Sequence, residues 1–282
     1  ETTSGFAHEK ERTAIFVGDL VDRGLWQREV ISIVRKMVEA GNAICVMGNH
    51  EFNAIAYGTI GPHGQPLRDH SPKNMKQHKE FVDAYSDSES DYRETREWLK
   101  TLPLWVELPD LRVSHACWDQ KEVDLLKSKH KGPILTDALL LSAATYGTKE
   151  YRALETLLKG KEIKLPDGAF YHDKEGTRRT VMRTKWWGES GTYRQCYMGP
   201  EDARGNIPDE PIKGDPLVHY PSDQVPVFIG HYWLDGDPEP LSENIVCLDY
   251  SVAKPGGALV AYQFDGESVI DRSRFVSVPR LN

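Results

Sequence analysis

Two periodicities alternate along the first fifty residues. Thr13–Val17 is a short β-branched and aromatic run, the pattern of a buried strand, and it stops at Gly18-Asp19. From Gln27 to Ala40, apolar residues fall at Val30, Ile33, Val34, Met37 and Val38, the spacing of one helical face. Gly41-Asn42 ends that helix. Ala43–Met47 is a second apolar strand, stopping at Gly48-Asn49. Strand, helix, strand in this order predicts a βαβ unit with two adjacent parallel strands. Ligands of parallel sheets bind beyond the carboxyl ends of the strands, so Asp19 and Asn49 are expected at one mouth.

Further along, residues 59–80 are polar and rich in His, Gly and Pro, read as a loop and the start of a helix. Ser90–Thr101 reads as a helix with Trp98 and Leu99 on its apolar side. Leu104–Leu108 and Leu111–Ser114 read as a hairpin around Pro109-Asp110 that delivers His115 at a strand end. The stretch 123–226 is the least legible. It holds helical pieces (Ala138–Ser142, Tyr151–Leu158), and Pro and Gly thicken between 199 and 226. Long excursions inside a domain are usually functional, so 123–226 is expected to be a lid-like insertion in a single domain spanning 1–282. Strand patterns return at Val225–Ile229, ahead of Gly230-His231, and then at Ile245–Tyr250, Ala258–Phe264 and Ser268–Val278. Pro255-Gly256-Gly257 and Asp265-Gly266 supply turns, so the C-terminal quarter is expected to be antiparallel. No internal repeat is visible.

Composition narrows the class. Hydrophobic residues make up 39% and charged residues 28% of 282 positions, ordinary for a globular protein. The net charge of −8 argues against a nucleic-acid binder, which needs a basic footprint, and against nucleic acid as a stable partner. No stretch approaches the ~18 apolar residues of a membrane span, and no membrane partner or signal peptide is expected. The cysteines at 45, 117, 196 and 247 form no CxxC pair and no disulfide ladder. Cys45 and Cys247 sit in apolar runs as small core residues, which favours a reducing, cytoplasmic setting.

Four segments share one design, in which a strand ends and a metal-competent side chain follows at once. They are Gly18-Asp19-Leu20-Val21-Asp22-Arg23-Gly24, Gly48-Asn49-His50-Glu51, Ser114-His115-Ala116 and Gly230-His231-Tyr232. Glycine lets the backbone turn sharply and approach a ligand closely. The bland alternatives are a helix-capping Asp for Asp19 and Asp22, a loop histidine for His50 and satisfied core histidines for His115 and His231. The company of the motifs outweighs them.

GDLVDRG followed by GNHE resembles the calcineurin-like metallophosphoesterase superfamily. The Asp-Arg-Gly ending and the Glu of GNHE resemble its phosphoprotein-phosphatase branch, which includes Ser/Thr phosphatases and bacterial diadenosine tetraphosphatases. The resemblance is good over 13–52 and 111–117, looser over 225–264, and does not cover the middle. It implies an α/β fold, a two-sheet β-sandwich flanked by helices, with an insertion between the two metal-binding histidines. It also implies roles. Asp19 would bridge two metal ions, Asn49 would give its amide oxygen to the second, and His115 and His231 would complete that site. His50 would be the general acid, oriented by Asp22. Arg23 would clamp the phosphoryl group, beside Asn49. In the insertion, Arg183 is the candidate phosphate contact, with Arg178, Arg179 and Arg194 as alternatives. A mixed O and N shell suits a divalent transition metal, Mn²⁺ first and then Fe, Ni or Zn. Two metals generate hydroxide at neutral pH and neutralise charge in the in-line displacement, Arg grips phosphate in two prongs, and His donates to the leaving oxygen.

One departure matters. The family's first metal rests on an Asp-x-His motif on an earlier strand, and no Asp-x-His occurs in this chain. The chain begins at Glu1 rather than Met, and the residues before Thr13 are too few for a strand and helix. The expectation is an N-terminal βα unit that precedes Glu1 in the natural protein and gives two ions; the alternative is one ion, in a slow enzyme or a phosphate-recognising binder. His8 is read as solvated surface, and His63, His70, His78, His130, His172 and His219 as structural or surface residues. Trp186 and Trp187 could stack a base, with core or lid packing the stronger reading. The expected substrate is a small phosphomonoester or a dinucleoside polyphosphate, a phosphoprotein being the alternative.

Overall fold

The computed structural model describes residues 6–8, 12–173, 176–188, 191–214 and 216–281. The segment before Thr13 therefore lies largely outside the described residues, and His8 is exposed.

The opening βαβ unit forms as its pattern requires. Strand β1 (Ala14–Phe16) pairs in parallel with β2 (Ala43–Cys45), Ala14 opposite Ala43. Helix α1 (Gln27–Glu39) crosses between them. Its buried face is Gln27, Ile31, Val34 and Met37: Val34 and Met37 are buried as expected, with Val38 packed beside them, whereas Val30 and Ile33 are 38% and 41% exposed. The buried stripe runs through 27, 31, 34 and 37, so it keeps the C-terminal half of the expected face and turns away from Val30 and Ile33. Each of its aliphatic residues contributes about 1.5–3 kcal/mol by burial. The helix ends as Gly41 turns left-handed (φ 75°), its N–H on the Val38 carbonyl and that of Asn42 on Met37, a Schellman closure.

Next come α2 (Asn49–Tyr57), α3 (Pro72–Gln77), α4 (Lys79–Ala84) and α5 (Glu89–Lys100). Helix α2 was not expected. Asn49 through Ala56 are all buried, and a helix buried on every side shows no apolar stripe to read. The hairpin forms as β3 (Trp105–Glu107) and β4 (Arg112–Ser114), antiparallel, Trp105 opposite Ser114.

Three helices follow: α6 (Gln120–His130), α7 (Asp137–Ala144) and α8 (Lys149–Lys159). Val123, Leu126, Leu139, Leu154 and Leu157 of these helices belong to the main core. Beyond them the chain makes two short antiparallel ladders. Strand β5 (Glu162–Lys164) pairs with β8 (Val181–Arg183), and β6 (Tyr171–His172) with β7 (Arg178–Arg179). With α9 (Tyr193–Cys196) and α10 (Glu201–Arg204) they enclose a small separate core that includes Ile163, Tyr171, Met182, Tyr197 and Ile207.

Strand β9 (Val227–Ile229) returns beside β4 in parallel, and β10 (Ile245–Cys247) lies parallel to β9. This corrects the antiparallel expectation for Ile245–Tyr250: the link from 230 to 244 carries the chain back to the same end of the sheet without a crossover helix. The antiparallel expectation holds for β11 (Asp249–Tyr250), β12 (Ala258–Tyr262) and β13 (Phe275–Pro279). The strand expected over Ser268–Val278 begins only at Phe275, after a 3-10 turn at Arg272–Arg274.

Period-2 alternation explains the layers. Val46, Val113, Phe228 and Val246 point into one core, shared with Tyr262 and Phe275 of the three-stranded sheet and with Phe264 just beyond β12. Cys45, Met47, Val227, Ile229, Ile245 and Cys247 point the other way, into the core against the helices. The fold is an α/β two-sheet sandwich with helices against it. Among the described residues, no helix is long and apolar enough to cross a membrane.

Candidate active site

Strands β1, β2, β4 and β9 end at one edge, and the four motifs follow those ends directly. Gly18 is where the first two loops touch. A Cβ there would meet the Gly48 nitrogen at 2.6 Å and His115 Nδ1 at 3.0 Å, and its φ of 91° is left-handed. At Gly48 a Cβ would meet Asp19 Oδ1 at 2.4 Å. Both glycines are therefore dictated by the closeness of the two loops.

Asp19, Asn49, His115 and His231 converge. His115 Nε2 lies 3.3 Å from Asp19 Oδ1 and 3.2 Å from Asn49 Oδ1, and His231 Nδ1 lies 2.9 Å from the same Asn49 oxygen. Ligand atoms of Asp19, His115 and His231 all fall within 4.8 Å of one another. His115 Nδ1 sits 2.6 Å from the Val17 carbonyl and donates to it, which aims Nε2 at the carboxylate and amide oxygens. A carboxylate, an amide oxygen and two imidazole nitrogens thus present lone pairs to one point, and His231 Nε2 is buried with no hydrogen-bond partner. This donor set fits a divalent transition metal, which would take one bond from each of the four. Among the described residues no second group of three His, Cys, Asp or Glu side chains is so arranged.

The electrostatics agree. Burial works against the charge of Asp19, yet His115, His50 and His231 hold its carboxyl well below the usual range. Burial would lower His115, but Asp19 raises it to about 9. The proton this retains occupies the place of a cation, so metal binding must expel it. His231 is pushed well below the ordinary histidine value by burial, then by Arg183 and His115, which keeps it a neutral donor.

A second cluster adjoins the first. His50 Nδ1 donates to Asp22 Oδ2 at 2.6 Å, with both side chains buried. Burial would lower His50, but Asp19 and Asp22 outweigh it and raise its pKa. Asp22 pays for burial and is still held low by His50 and then His78. Arg23 is exposed, its guanidinium carbon 3.6 Å from the centre of the Trp233 ring, a cation–π contact. Lys254 Nζ lies 3.8 Å from the same centre. The Trp233 N–H is fixed by Asp249 Oδ2 at 3.0 Å.

Asp19 (φ 60°), Asp22 (67°), Arg23 (58°), His231 (72°) and Trp233 (54°) all hold left-handed backbone. Each such residue stores on the order of 1–3 kcal/mol, a cost that surrounding structure must meet and that gathers at functional sites.

Two residues that meet this cost were not singled out from sequence. Glu51, fully buried, accepts from Asp19 N (2.9 Å) and Gly48 N (2.8 Å) on one oxygen, and from Leu20 N (2.6 Å) and Val21 N (3.2 Å) on the other. Gln27 accepts from Asp22 N at 2.9 Å and donates to the carbonyls of Asp22 (2.9 Å) and Gly24 (2.7 Å), pinning the turn that carries Arg23. In the sequence Glu51 marks only the branch; its place at the third helical position after Gly48 is the available signal, half of a capping box.

Arg183 enters the site's field, since its charge acts on His231 and Tyr232, although its guanidinium also lies 4.0 Å from Glu162. The alternatives are engaged in the insertion: Arg178 over Phe170, Arg179 with Glu162 and Arg194 with Asp209. Trp186 is 2% exposed, and its indole N–H reaches the Ala116 carbonyl (3.0 Å) and the Tyr232 hydroxyl (3.1 Å). That is core packing rather than a base-stacking surface. Trp187 packs edge-on to Tyr232.

The model of the calcineurin-like phosphoesterase family matches residues 5–232. No curated protein sequence matches. Among solved structures, a Saccharomyces cerevisiae protein serine/threonine phosphatase with similarity to human phosphatase PP5 is 14% identical with a TM-score of 0.51, covering 99% of this chain and 73% of that one. A structure assigned provisionally as a diadenosine tetraphosphatase is 19% identical with a TM-score of 0.44, covering 96% and 81%. A cold-active protein-tyrosine phosphatase of a psychrophilic Shewanella species is 15% identical with a TM-score of 0.41, covering 90% and 67%. These likenesses bear on the fold alone. With the family model spanning most of the chain and all four strand-end motifs, this protein belongs to the calcineurin-like phosphoesterase family, metal-dependent hydrolases of phosphate esters.

Proposed function

We propose that this chain is a phosphatase acting on small phosphomonoesters or dinucleoside polyphosphates, with Asp19, Asn49, His115 and His231 holding a divalent metal, Mn²⁺ first among the candidates. The observation that carries the reading is the convergence of those four donors within reach of a buried His50–Asp22 pair and an exposed guanidinium. A metal bound there supplies Lewis acidity and a nucleophile at neutral pH. The chain supplies the rest. Arg23 grips phosphoryl oxygens from the mouth, and Arg183, whose charge acts on His231, is the second cation for the phosphate. Asp22 holds His50 Nδ1, leaving Nε2 to give its proton to the departing oxygen as the P–O bond breaks. Water's oxygen forms the new bond to phosphorus, the leaving group departs as an alcohol from a phosphomonoester or as a nucleotide from a dinucleoside polyphosphate, and the imidazole regains a proton from water. The segment 162–217, with its own small core, is the part of the insertion best suited to cover a compact substrate. The burial of all four cysteine thiols supports a reducing, cytoplasmic setting.

A second reading has one observation in its favour. Only one metal-competent group occurs among the described residues, which suits a mononuclear phosphate-binding protein. Metal content per chain and release of phosphate from phenyl phosphate with added Mn²⁺ separate the two. The phosphatase turns over, and His50→Ala keeps its metal while losing turnover. Full activity in that variant would reject His50 as the acid. Phosphate binding without turnover at any metal load would favour the binder.

A further inference from the structure

His78 is a second imidazole on the Asp22 carboxylate, beside His50. Its Nδ1 lies 3.2 Å from Oδ1 and 3.1 Å from Oδ2, and the residue is 1% exposed. It comes from the junction of α3 and α4, far in sequence from every motif of the site. The junction holds it firmly. Its N–H donates to the Asn74 carbonyl at 3.0 Å, its carbonyl accepts from Val82 N at 2.9 Å, and its ring lies 5.1 Å from that of Tyr57.

The proton on this imidazole can be placed by elimination. Nε2 is buried and has no hydrogen-bond partner. A proton there would be an orphaned donor, while a bare Nδ1 would turn its lone pair on a carboxylate. Both penalties vanish when Nδ1 carries the proton, because an unmet acceptor lone pair is the lesser cost. Asp22 therefore receives one N–H from His50 and one from His78. With only His50 as partner, the carboxylate could rotate about its Cα–Cβ and Cβ–Cγ bonds and carry the His50 ring with it. With two donors on separate elements, its plane is fixed.

We propose that His78 is a positioning residue for the acid step: it locks the Asp22 carboxylate, and Asp22 thereby aims His50 Nε2 at the leaving oxygen. The proposal rests on the reading of His50 as general acid. In the step it serves, the oxygen of a water-derived hydroxide forms a new bond to phosphorus as the ester phosphorus–oxygen bond breaks, the His50 Nε2 proton passes to the departing oxygen and the imidazole is left neutral. His78 exchanges no proton.

Leaving-group dependence tests this in the metal-loaded protein. A phenolate of low basicity departs unaided, whereas phenolate itself needs the acid. Positioned acids contribute roughly 10²–10⁴ in rate, so His78→Leu should cost about tenfold or more in kcat on phenyl phosphate. On 2,4-dinitrophenyl phosphate it should stay within about twofold, with KM little changed on either substrate. His78→Asn places an amide N–H near the position of Nδ1 and should restore most of the lost rate. Equal losses on both substrates from His78→Leu, alongside a selective loss from His50→Ala, would reduce His78 to packing and overturn the proposal. Equal losses from His50→Ala would instead overturn the acid assignment itself. A readout independent of turnover is the imidazole ¹⁵N spectrum of the unmutated protein, where His78 must carry its proton on Nδ1. A proton found on Nε2 refutes the proposal even if the Leu variant does not fold.

Discussion

Replacing Glu51 by Gln should destabilise the protein far more than its isosteric chemistry suggests. Glu51 sits at 0% exposure and accepts four backbone N–H groups, two on each oxygen. Glutamine has one acceptor oxygen, so two of those N–H groups would face an NH₂. Each buried donor left unmet costs about 1–3 kcal/mol, giving roughly 2–6 kcal/mol for the pair. The two bonds that survive change from charge-assisted to neutral and weaken by about half. Relief of a buried charge beside Asp19 offsets part of this, since burial and then Asp19 push the Glu51 carboxyl up. A net loss of about 3 kcal/mol is expected, a large share of the ~5–15 kcal/mol that holds a typical domain together. Urea unfolding of the metal-free protein, monitored by tryptophan fluorescence, gives the number. Mn²⁺ titration should weaken in parallel, because three of the four donors belong to the Asp19–Val21 loop. A shift below about 1 kcal/mol would mean that the loop holds its shape without the carboxylate.

Three further outcomes follow from the geometry. Asp19→Asn should lower Mn²⁺ affinity at least tenfold by calorimetry, and chelation should lower the melting temperature of the unmutated protein, since saturation at about 100 Kd is worth roughly 2.7 kcal/mol; identical melting with and without chelator would reject the metal site. Trp233→Leu removes the ring under Arg23, a contact worth about 0.5–2 kcal/mol, so KM should rise by roughly twofold to thirtyfold with kcat nearly constant, and a change confined to kcat would contradict the clamp. Trp186→Phe leaves the Ala116 carbonyl and the Tyr232 hydroxyl without their shared donor and should cost about 1–3 kcal/mol in chemical unfolding; an unchanged midpoint would show that water replaces the indole.

The sequence displays whatever its local periods encode. The β1–α1–β2 unit and the β3–β4 hairpin were legible because each is short, locally closed and bounded by Gly, Asn or Pro-Asp. Asp19, Asn49, His50, His115 and His231 were legible because each belongs to a short motif that begins within a few residues of a strand end. Helix α2 was hidden by burial on all sides. The parallel pairing of β9 and β10 was hidden because their link contains no helix to announce a crossover. Glu51 looked like part of a motif, although what it does is hold another loop thirty residues away. His78 looked like any histidine in a polar stretch, since its partner Asp22 lies 56 positions earlier. In the insertion, the segment after Lys159 builds its core from scattered aromatic and aliphatic residues with two- and three-residue strands, too short for any period to register.

The indole of Trp186 spans the residues that immediately follow His115 and His231, so the angle at which the two imidazoles meet is set from outside the ligand set. A change of backbone around 186, far along the chain from either histidine, opens or narrows that angle. Divergence in the insertion around 186 therefore bears on how the two histidine loops sit against each other, while the histidines themselves stay the same.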